Sequence, residues 1–204
     1  YGAMTHLENF PFRRDRFIHL MTIIRSQFPR MIVGGVEVPQ PVLFVDRDGT
    51  LCHEPHDYKI DRFEKIQLLE NVIPSLLRIK SAGYRFVMVS NQDGLGASAY
   101  PRHGFDSCQN FIVELFKSQG ISFDIILICP HYPAELCECR KPRVGKIRGL
   151  LDPISCDPSR SAMVGDRDGD MEFAKNLGVT ALRVDSPFGA GLSWPSIADV
   201  LTTL

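Results

Sequence analysis

A three-layer, doubly wound α/β fold with a parallel central sheet is predicted by three features of this chain. Short apolar runs near 42–45, 85–89, 124–128, 161–164 and 180–184 alternate with helix-like patterns near 71–82, 105–119, 143–151 and 169–177. Strands that alternate with helices form right-handed βαβ units around a parallel sheet. Polar and charged residues gather where the apolar runs end, which is where open α/β sheets bind their ligands. Finally, 204 residues at 44% hydrophobic and 23% charged suffice for one substantial core.

Taking the chain in order, Tyr1-Gly2-Ala3 ahead of Met4 reads as an expression scar, and residues 1–40 read as an extension before a main domain at 41–204. Phe17, Leu20, Met21 and Ile24 recur at helical spacing and predict a short amphipathic helix docked on the domain or on a second subunit. Its arginines have the flavour of a transit peptide, but Glu8 and Asp15 argue against one. Gly34-Gly35 and Pro39-Gln40-Pro41 mark the junction to the main domain. Nothing in the composition suggests a polyanionic or membrane partner: the formal net charge is −1, and no apolar stretch approaches the roughly 20 residues that span a bilayer. A cytoplasmic location is expected.

The first strand run, Val42-Leu43-Phe44-Val45, ends in Asp46-Arg47-Asp48-Gly49-Thr50. Side chains at i and i+2 of an extended backbone share a side, so Asp46 and Asp48 can address one small site while Gly49 lets the chain turn sharply out of the sheet. Asp and Gly are also common at solvated strand-end turns, and this segment alone leaves both readings open. The second run, Tyr84 to Val89, ends in Ser90-Asn91, a hydroxyl at another strand end. Arg140-Lys141-Pro142 adds a cation, and Ala162-Met163-Val164 runs into Gly165-Asp166-Arg167-Asp168-Gly169-Asp170. Leu51 to Gln67 has room for a flap, and 91–123 for a loop and one helix, so no separate cap domain is expected.

Between these lies Cys129-Pro130-His131 followed by Cys137-Glu138-Cys139. Three thiolates and an imidazole around a short loop are the donor set of a closed, structural zinc site. Disulfides are the competing reading, disfavoured in a reducing compartment and between cysteines one residue apart; buried apolar cysteines are a third. A zinc ion here would fold a loop with little apolar material and fix the Arg140-Lys141 arm behind it.

The ordered set D-x-D-G-T, Ser-Asn, Lys and G-D-x-x-x-D over roughly residues 41–185 resembles the aspartate-nucleophile phosphatases of the haloacid dehalogenase superfamily. That resemblance implies Asp46 as the nucleophile that becomes an aspartyl phosphate, Asp48 as acid and then base, and Ser90 and Lys141 as the grip on the phosphoryl oxygens. It also implies magnesium on Asp46, Asp166 and the backbone carbonyl of Asp48. Thr50 and the amides after Asp46 would help cradle the phosphoryl group. Asp170 would orient Lys141 or a metal-bound water, and Asp168 reads as a solvated loop carboxylate.

Asn91-Gln92-Asp93-Gly94-Leu95-Gly96, Glu54-Pro55, Asp61 to Lys65, the Cys129 to Cys139 spacing and Trp194-Pro195 are similar to the histidinol-phosphate phosphatases. That implies hydrolysis of L-histidinol phosphate in histidine biosynthesis, with Glu54 and Asn91 among the substrate contacts and Asp57 and Asp93 as further acidic candidates. It also implies that the chain is either a stand-alone enzyme or the first half of a protein fused to imidazoleglycerol-phosphate dehydratase. D-glycero-D-manno-heptose bisphosphate phosphatase is the nearest alternative. Beyond it stand a nucleic-acid 3′-phosphatase, disfavoured by the charge balance, and a non-catalytic zinc-loop interaction module, which would be expected to lack catalytic residues.

Overall fold

The computed structural model describes residues 31–33, 35–151 and 155–203. The helix expected around Phe17 to Ile24 lies outside the described residues. Where a bare junction was expected, Met31–Val33 (β1) and Val36–Val38 (β2) pair as an antiparallel ribbon. Gln40 then donates its N–H to the Ser155 carbonyl (2.8 Å) and accepts from Asp157 N–H (3.0 Å), tying the approach to the main sheet.

That sheet has five parallel strands, Val42–Val45 (β3), Arg85–Asn91 (β4), Phe123–Cys129 (β5), Ala162–Gly165 (β6) and Thr180–Arg183 (β7), in the order β5-β4-β3-β6-β7. The chain builds outward from β3 to β5, then crosses back to lay β6 on the other side of β3. Strand order therefore reverses between β3 and β6, and the crevice beyond their carboxyl ends is where such sheets bind ligands.

Period-two alternation divides the core between the two faces. Leu43, Val45, Phe86, Met88, Ile126 and Val164 pack with Leu76 and Ile79 of Val72–Ser81 (α1), with Phe105, Ile112 and Phe116 of Arg102–Ser118 (α2), and with Ile197 and Leu201 of the last helix. Val42, Phe44, Val87, Val89, Ile125 and Met163 pack with Ile147 of Gly145–Leu151 (α3) and with Phe173 and Leu177 of Asp168–Leu177 (α4). Burying each such side chain contributes about 1.5–3 kcal/mol, so the sheet is the stable platform of the molecule.

The last helix, Trp194–Thr203 (α5), was not expected from the sequence. Ser193 Oγ accepts from Ser196 N–H at its start (3.4 Å), Pro195 occupies the first turn, and Trp194, Ile197, Ala198 and Leu201 form its buried stripe. Residues 53–67 make a flap rather than a cap domain: the chain leaves at Cys52 and returns antiparallel at Leu68, with His53 N–H bonded to the Gln67 carbonyl (2.8 Å).

Candidate active site and thiolate cluster

Asp46 follows β3 directly, and its N–H donates to the Val164 carbonyl of β6 at 3.0 Å. Hydrogen bonding between the two strands therefore sets Asp46 beside Gly165-Asp166. An open cleft of about 570 Å³ lies over this point, lined by Asp46, Asp48, Glu54, Ser90, Asn91, Lys141, Arg167 and Asp170 among others.

Lys141 Nζ stands 2.8 Å from Asp46 Oδ1 and 2.7 Å from Asp170 Oδ1. Burial works against its ammonium, but Asp170 and then Asp46 outweigh burial and hold its pKa above the ordinary range. Burial pushes the Asp46 carboxyl up to about 7 against the pull of Lys141, with Asp170 and Asp166 adding to the rise. Asp166, wholly buried, is pushed up to about 6, first by burial and then by Asp170.

Among the described residues neither oxygen of Asp166 has a hydrogen-bond partner, and the nearest cation, Arg167 Nε, stands 3.9 Å from Oδ2. A buried carboxylate left bare is costly unless something cationic completes it. Asp46, Asp166 and Asp170 bring one oxygen each within 4.8 Å of one another, and hard carboxylate oxygens are the donors a magnesium-type cation takes. One Asp170 oxygen already faces Lys141 and the other accepts from Arg167 N–H (3.1 Å); Asp46 Oδ1 also faces Lys141, so Asp46 Oδ2 and the Asp166 oxygens are the free donors. The site therefore fits the expected cation.

Two glycines make this crowding possible. A Cβ on Gly49, whose φ is +74°, would lie 2.3 Å from Asp166 Oδ2, and a Cβ on Gly165 would lie 2.3 Å from Asp170 Cγ.

Asp48 turns away from Lys141 and toward Arg47, which is fully buried. The Arg47 fork donates from Nε to Asp48 Oδ1 (2.7 Å) and from Nη2 to Oδ2 (2.8 Å). Gln92 Nε2 donates to the same Oδ2 (2.8 Å) and to Ser90 Oγ (2.9 Å). Gln109, Tyr100 and the Phe105 ring complete this buried network, and sequence reasoning had assigned a role to none of its members beyond Asp48 and Ser90.

The remaining expected residues divide. Asn91 clamps the backbone of Lys141, accepting from its N–H (3.1 Å) and donating to its carbonyl (3.2 Å). Glu54 lines the cleft but both its oxygens face Arg167 Nη2, at 2.7 and 2.5 Å. Asp57 and Asp93 line it too, paired with Lys65 and Arg140. Thr50 is wholly buried beneath the cleft lining; its carbonyl accepts from Trp194 Nε1 at 2.9 Å, and its hydroxyl has no hydrogen-bond partner among the described residues. Asp168 is exposed and paired with Arg183, but it opens α4 rather than lying in a loop.

The thiolate cluster closes in space as its spacing suggested. Cys129 at the end of β5, His131, Cys137 and Cys139 bring their donors within 4.8 Å of one another, all pairs but His131–Cys137 at 3.2–3.6 Å, with all six cysteines of the chain unpaired. Ligands about 2.0–2.3 Å from a shared tetrahedral centre lie ~3.3–3.8 Å from one another, so this donor set fits zinc. Sulfurs 3.4 Å apart are too distant for the ~2.05 Å of a disulfide.

Residues 138–189 match the HAD-hydrolase-like family. Curated relatives extend the match across most of the chain. The histidine biosynthesis bifunctional protein HisB of Actinobacillus pleuropneumoniae serotype 3 is 52% identical over 145 residues, 71% of this chain and 40% of the relative. That of Legionella pneumophila (strain Lens) is 46% identical over 160 residues, 78% of this chain and 44% of the relative. This chain belongs to the haloacid dehalogenase-like phosphatases. It spans about two fifths of the length of these relatives. In fold it is similar to the D,D-heptose 1,7-bisphosphate phosphatase of B. bronchiseptica, complexed with magnesium and phosphate, with a TM-score of 0.69, 21% identity and coverage of 80% of this chain and 98% of that one. The corresponding enzyme of Burkholderia thailandensis gives a TM-score of 0.56 at 18% identity, covering 81% of this chain and all of that one. In this chain Asp46 and Asp166 follow β3 and β6, on either side of the crevice where the strand order reverses.

Proposed function

We propose that this domain is a magnesium-dependent phosphomonoesterase that hydrolyses L-histidinol phosphate to L-histidinol and phosphate through an aspartyl phosphate on Asp46. The observation that carries the chemistry is the buried constellation of Asp46, Lys141, Asp166 and Asp170, with neither Asp166 oxygen hydrogen-bonded among the described residues. Bound magnesium, held by Asp46, Asp166 and the Asp48 carbonyl, would neutralise the approach of carboxylate to phosphate. Asp46 attacks phosphorus, Lys141 and Ser90 hold the phosphoryl oxygens, and Asp48 delivers the proton the departing alcohol needs. Water then attacks the aspartyl phosphate, giving its proton to Asp48 and freeing the Asp46 carboxylate.

The names of the curated relatives, histidine biosynthesis proteins at 46–52% identity, support this substrate. So does the cleft, whose lining sets Asp46, Asp48, Glu54, Asp57, Asp93 and Asp170 against Lys59, Arg140, Lys141 and Arg167. Such a balance suits a small zwitterionic ester and lacks the positive track a polynucleotide requires. Tyr58, whose ring already lies under the Arg167 guanidinium, and Tyr132 line it as well, aromatic side chains suited to a protonated imidazole. Glu54 would take the substrate ammonium on lone pairs that Arg167 leaves free. Six unpaired cysteines fit the reducing cytoplasm this reading assigns.

Phosphate release with magnesium, compared across histidinol phosphate, D-glycero-D-manno-heptose bisphosphate and a 3′-phosphorylated oligonucleotide, tests the reading. Histidinol phosphate should turn over fastest by a wide margin. Preference for either competitor would replace the substrate assignment, and no release from any of them would remove the catalytic one.

A further inference from the structure

We infer that Arg47 and Gln92 are positioning residues for the departure of the alcohol, fixing Asp48 so that its Oδ1 carries the transferred proton while Ser90 keeps its own proton for the phosphoryl group. This inference rests on the phosphatase reading above.

Its basis is an inventory of donors and acceptors. Each carboxylate oxygen has two lone-pair sites. Asp48 Oδ2 accepts from Arg47 Nη2 at 2.8 Å and from Gln92 Nε2 at 2.8 Å, which fills it. Among the described residues Asp48 Oδ1 accepts from Arg47 Nε alone, at 2.7 Å. One site on Oδ1 is open, and Asp48 lines the cleft, so this atom is the one able to gain and lose a proton toward substrate.

Gln92 is itself saturated. Its Nε2 donates to Asp48 Oδ2 and to Ser90 Oγ, while Oε1 accepts from Arg47 Nη2 (3.2 Å) and Tyr100 Oη (2.7 Å). Turning the amide over would point its carbonyl at a carboxylate and its NH2 at a guanidinium. The neighbours therefore compel one orientation. Because Ser90 Oγ accepts from Gln92, the Ser90 hydrogen remains available to donate to a phosphoryl oxygen.

Arg47 cannot drift either. Its Nη1 donates to Gln109 Oε1 (3.0 Å), and its guanidinium carbon lies 4.8 Å from the centre of the Phe105 ring. Both contacts come from α2, so a helix far from the phosphoryl site sets the angle of the acid. A rigid fork fixes both carboxylate oxygens in a way the single ammonium of lysine cannot.

In the first step the Asp46 carboxylate forms an O–P bond, and the ester P–O bond breaks as its electron pair takes the proton from Asp48 Oδ1. In the second, water forms the new P–O bond, Asp48 Oδ1 takes its proton, and the Asp46–phosphorus bond returns its pair to the carboxylate. A leaving group stable as an anion needs no proton in the first step but still needs Asp48 in the second.

Rapid-mixing kinetics on Arg47→Lys and Gln92→Leu, with histidinol phosphate and p-nitrophenyl phosphate, separate these steps. Both variants should release one equivalent of p-nitrophenolate per site at close to the wild-type rate, then turn over slowly. With histidinol phosphate their first step should slow by about 100-fold, with no burst. Equal slowing of both first steps would mean a merely structural role, and unchanged kinetics would mean none; either overturns the inference. Gln92→Leu, which leaves the Arg47–Asp48 pair in place, carries the test alone if Arg47→Lys fails to fold. Wild-type protein inactive on both esters would instead remove the underlying phosphatase reading.

Discussion

Lys141 Nζ and Asp46 Oδ1 stand 2.8 Å apart in a site where burial pushes the Asp46 carboxyl up to about 7. The ammonium offsets the cost of a buried nucleophile and lies where a phosphoryl oxygen would need a cation. Lys141→Met should therefore lower kcat by about 10²–10³, the scale on which removing one preorganised charge acts. Lys141→Arg should restore little, because a planar fork does not replace a point charge held between two carboxylates. Asp46→Asn should fold and release no phosphate. Phosphate release and circular dichroism on the three variants check this, and a Lys141→Met enzyme with wild-type kcat would remove Lys141 from the phosphoryl grip.

Magnesium affinity should rise with pH. In the metal-free protein the Asp46 carboxyl is raised from the ordinary 3.8 to about 7 and that of Asp166 to about 6, both first by burial, so a binding cation must displace protons below that range. Calorimetric titrations in buffers of different ionisation enthalpy should detect proton release at pH 6 and much less at pH 8.

The same shifts act on stability with a defined sign. A carboxyl raised in the folded state binds more protons there than in the unfolded chain, so its contribution is complete below about pH 4 and lost as pH rises toward 7. The thermal midpoint of metal-free protein should fall between pH 5 and 7, and saturating magnesium should flatten that fall. A metal-free midpoint that climbs across this window would contradict it.

Much of this site was legible because its parts are local. Asp46, Ser90 and Asp166 each end or follow an apolar strand, and parallel pairing of β3 with β4 and β6 is enough to bring them together. Arg47 was not legible. A guanidinium between two aspartates looks solvated, and its burial depends on Gln109, 62 residues away on α2, and on a loop that returns Gln92. The setting of Thr50 was not legible for a related reason: the fifth residue after β3 already belongs to the turn, and its carbonyl is taken by Trp194 of α5, 144 residues away. The stripe of Trp194, Ile197, Ala198 and Leu201 has helical spacing, but a ten-residue stretch after the last strand, with no strand following it among the described residues, lacks the strand–helix–strand alternation that marks the other helices.

Gly165→Ala should weaken cation binding without touching a ligand. The added carbon would lie 2.3 Å from Asp170 Cγ, pushing that carboxylate off Lys141 and into the space beside Asp166. Overpacking of this kind costs about 1–3 kcal/mol of stability. A lowered thermal midpoint together with weaker magnesium binding is expected. Unchanged magnesium affinity would show that Asp170 is not needed to arrange the cation site.

Removing zinc should lower turnover while leaving the magnesium site intact. Cys139 is followed directly by Arg140-Lys141, so the thiolate cluster anchors one end of the arm that carries the ammonium, while Asn91 clamps its middle. Between β5 and that arm, Tyr132 and Leu136 are largely exposed, so few apolar contacts hold the loop. The metal would supply the folding energy that burial does not. Protein purified without chelator should contain one zinc per chain, and Cys139→Ser should not retain it. Zinc-stripped protein resupplied with magnesium should exchange amide hydrogens faster across residues 129–141 and lose about 10–100-fold in kcat, the scale on which loss of a supporting shell acts. Because Asp46, Asp166 and Asp170 lie outside the loop, magnesium affinity should change far less than kcat. Full turnover by zinc-free protein would show that Asn91, Asp46 and Asp170 keep Lys141 in place without the metal.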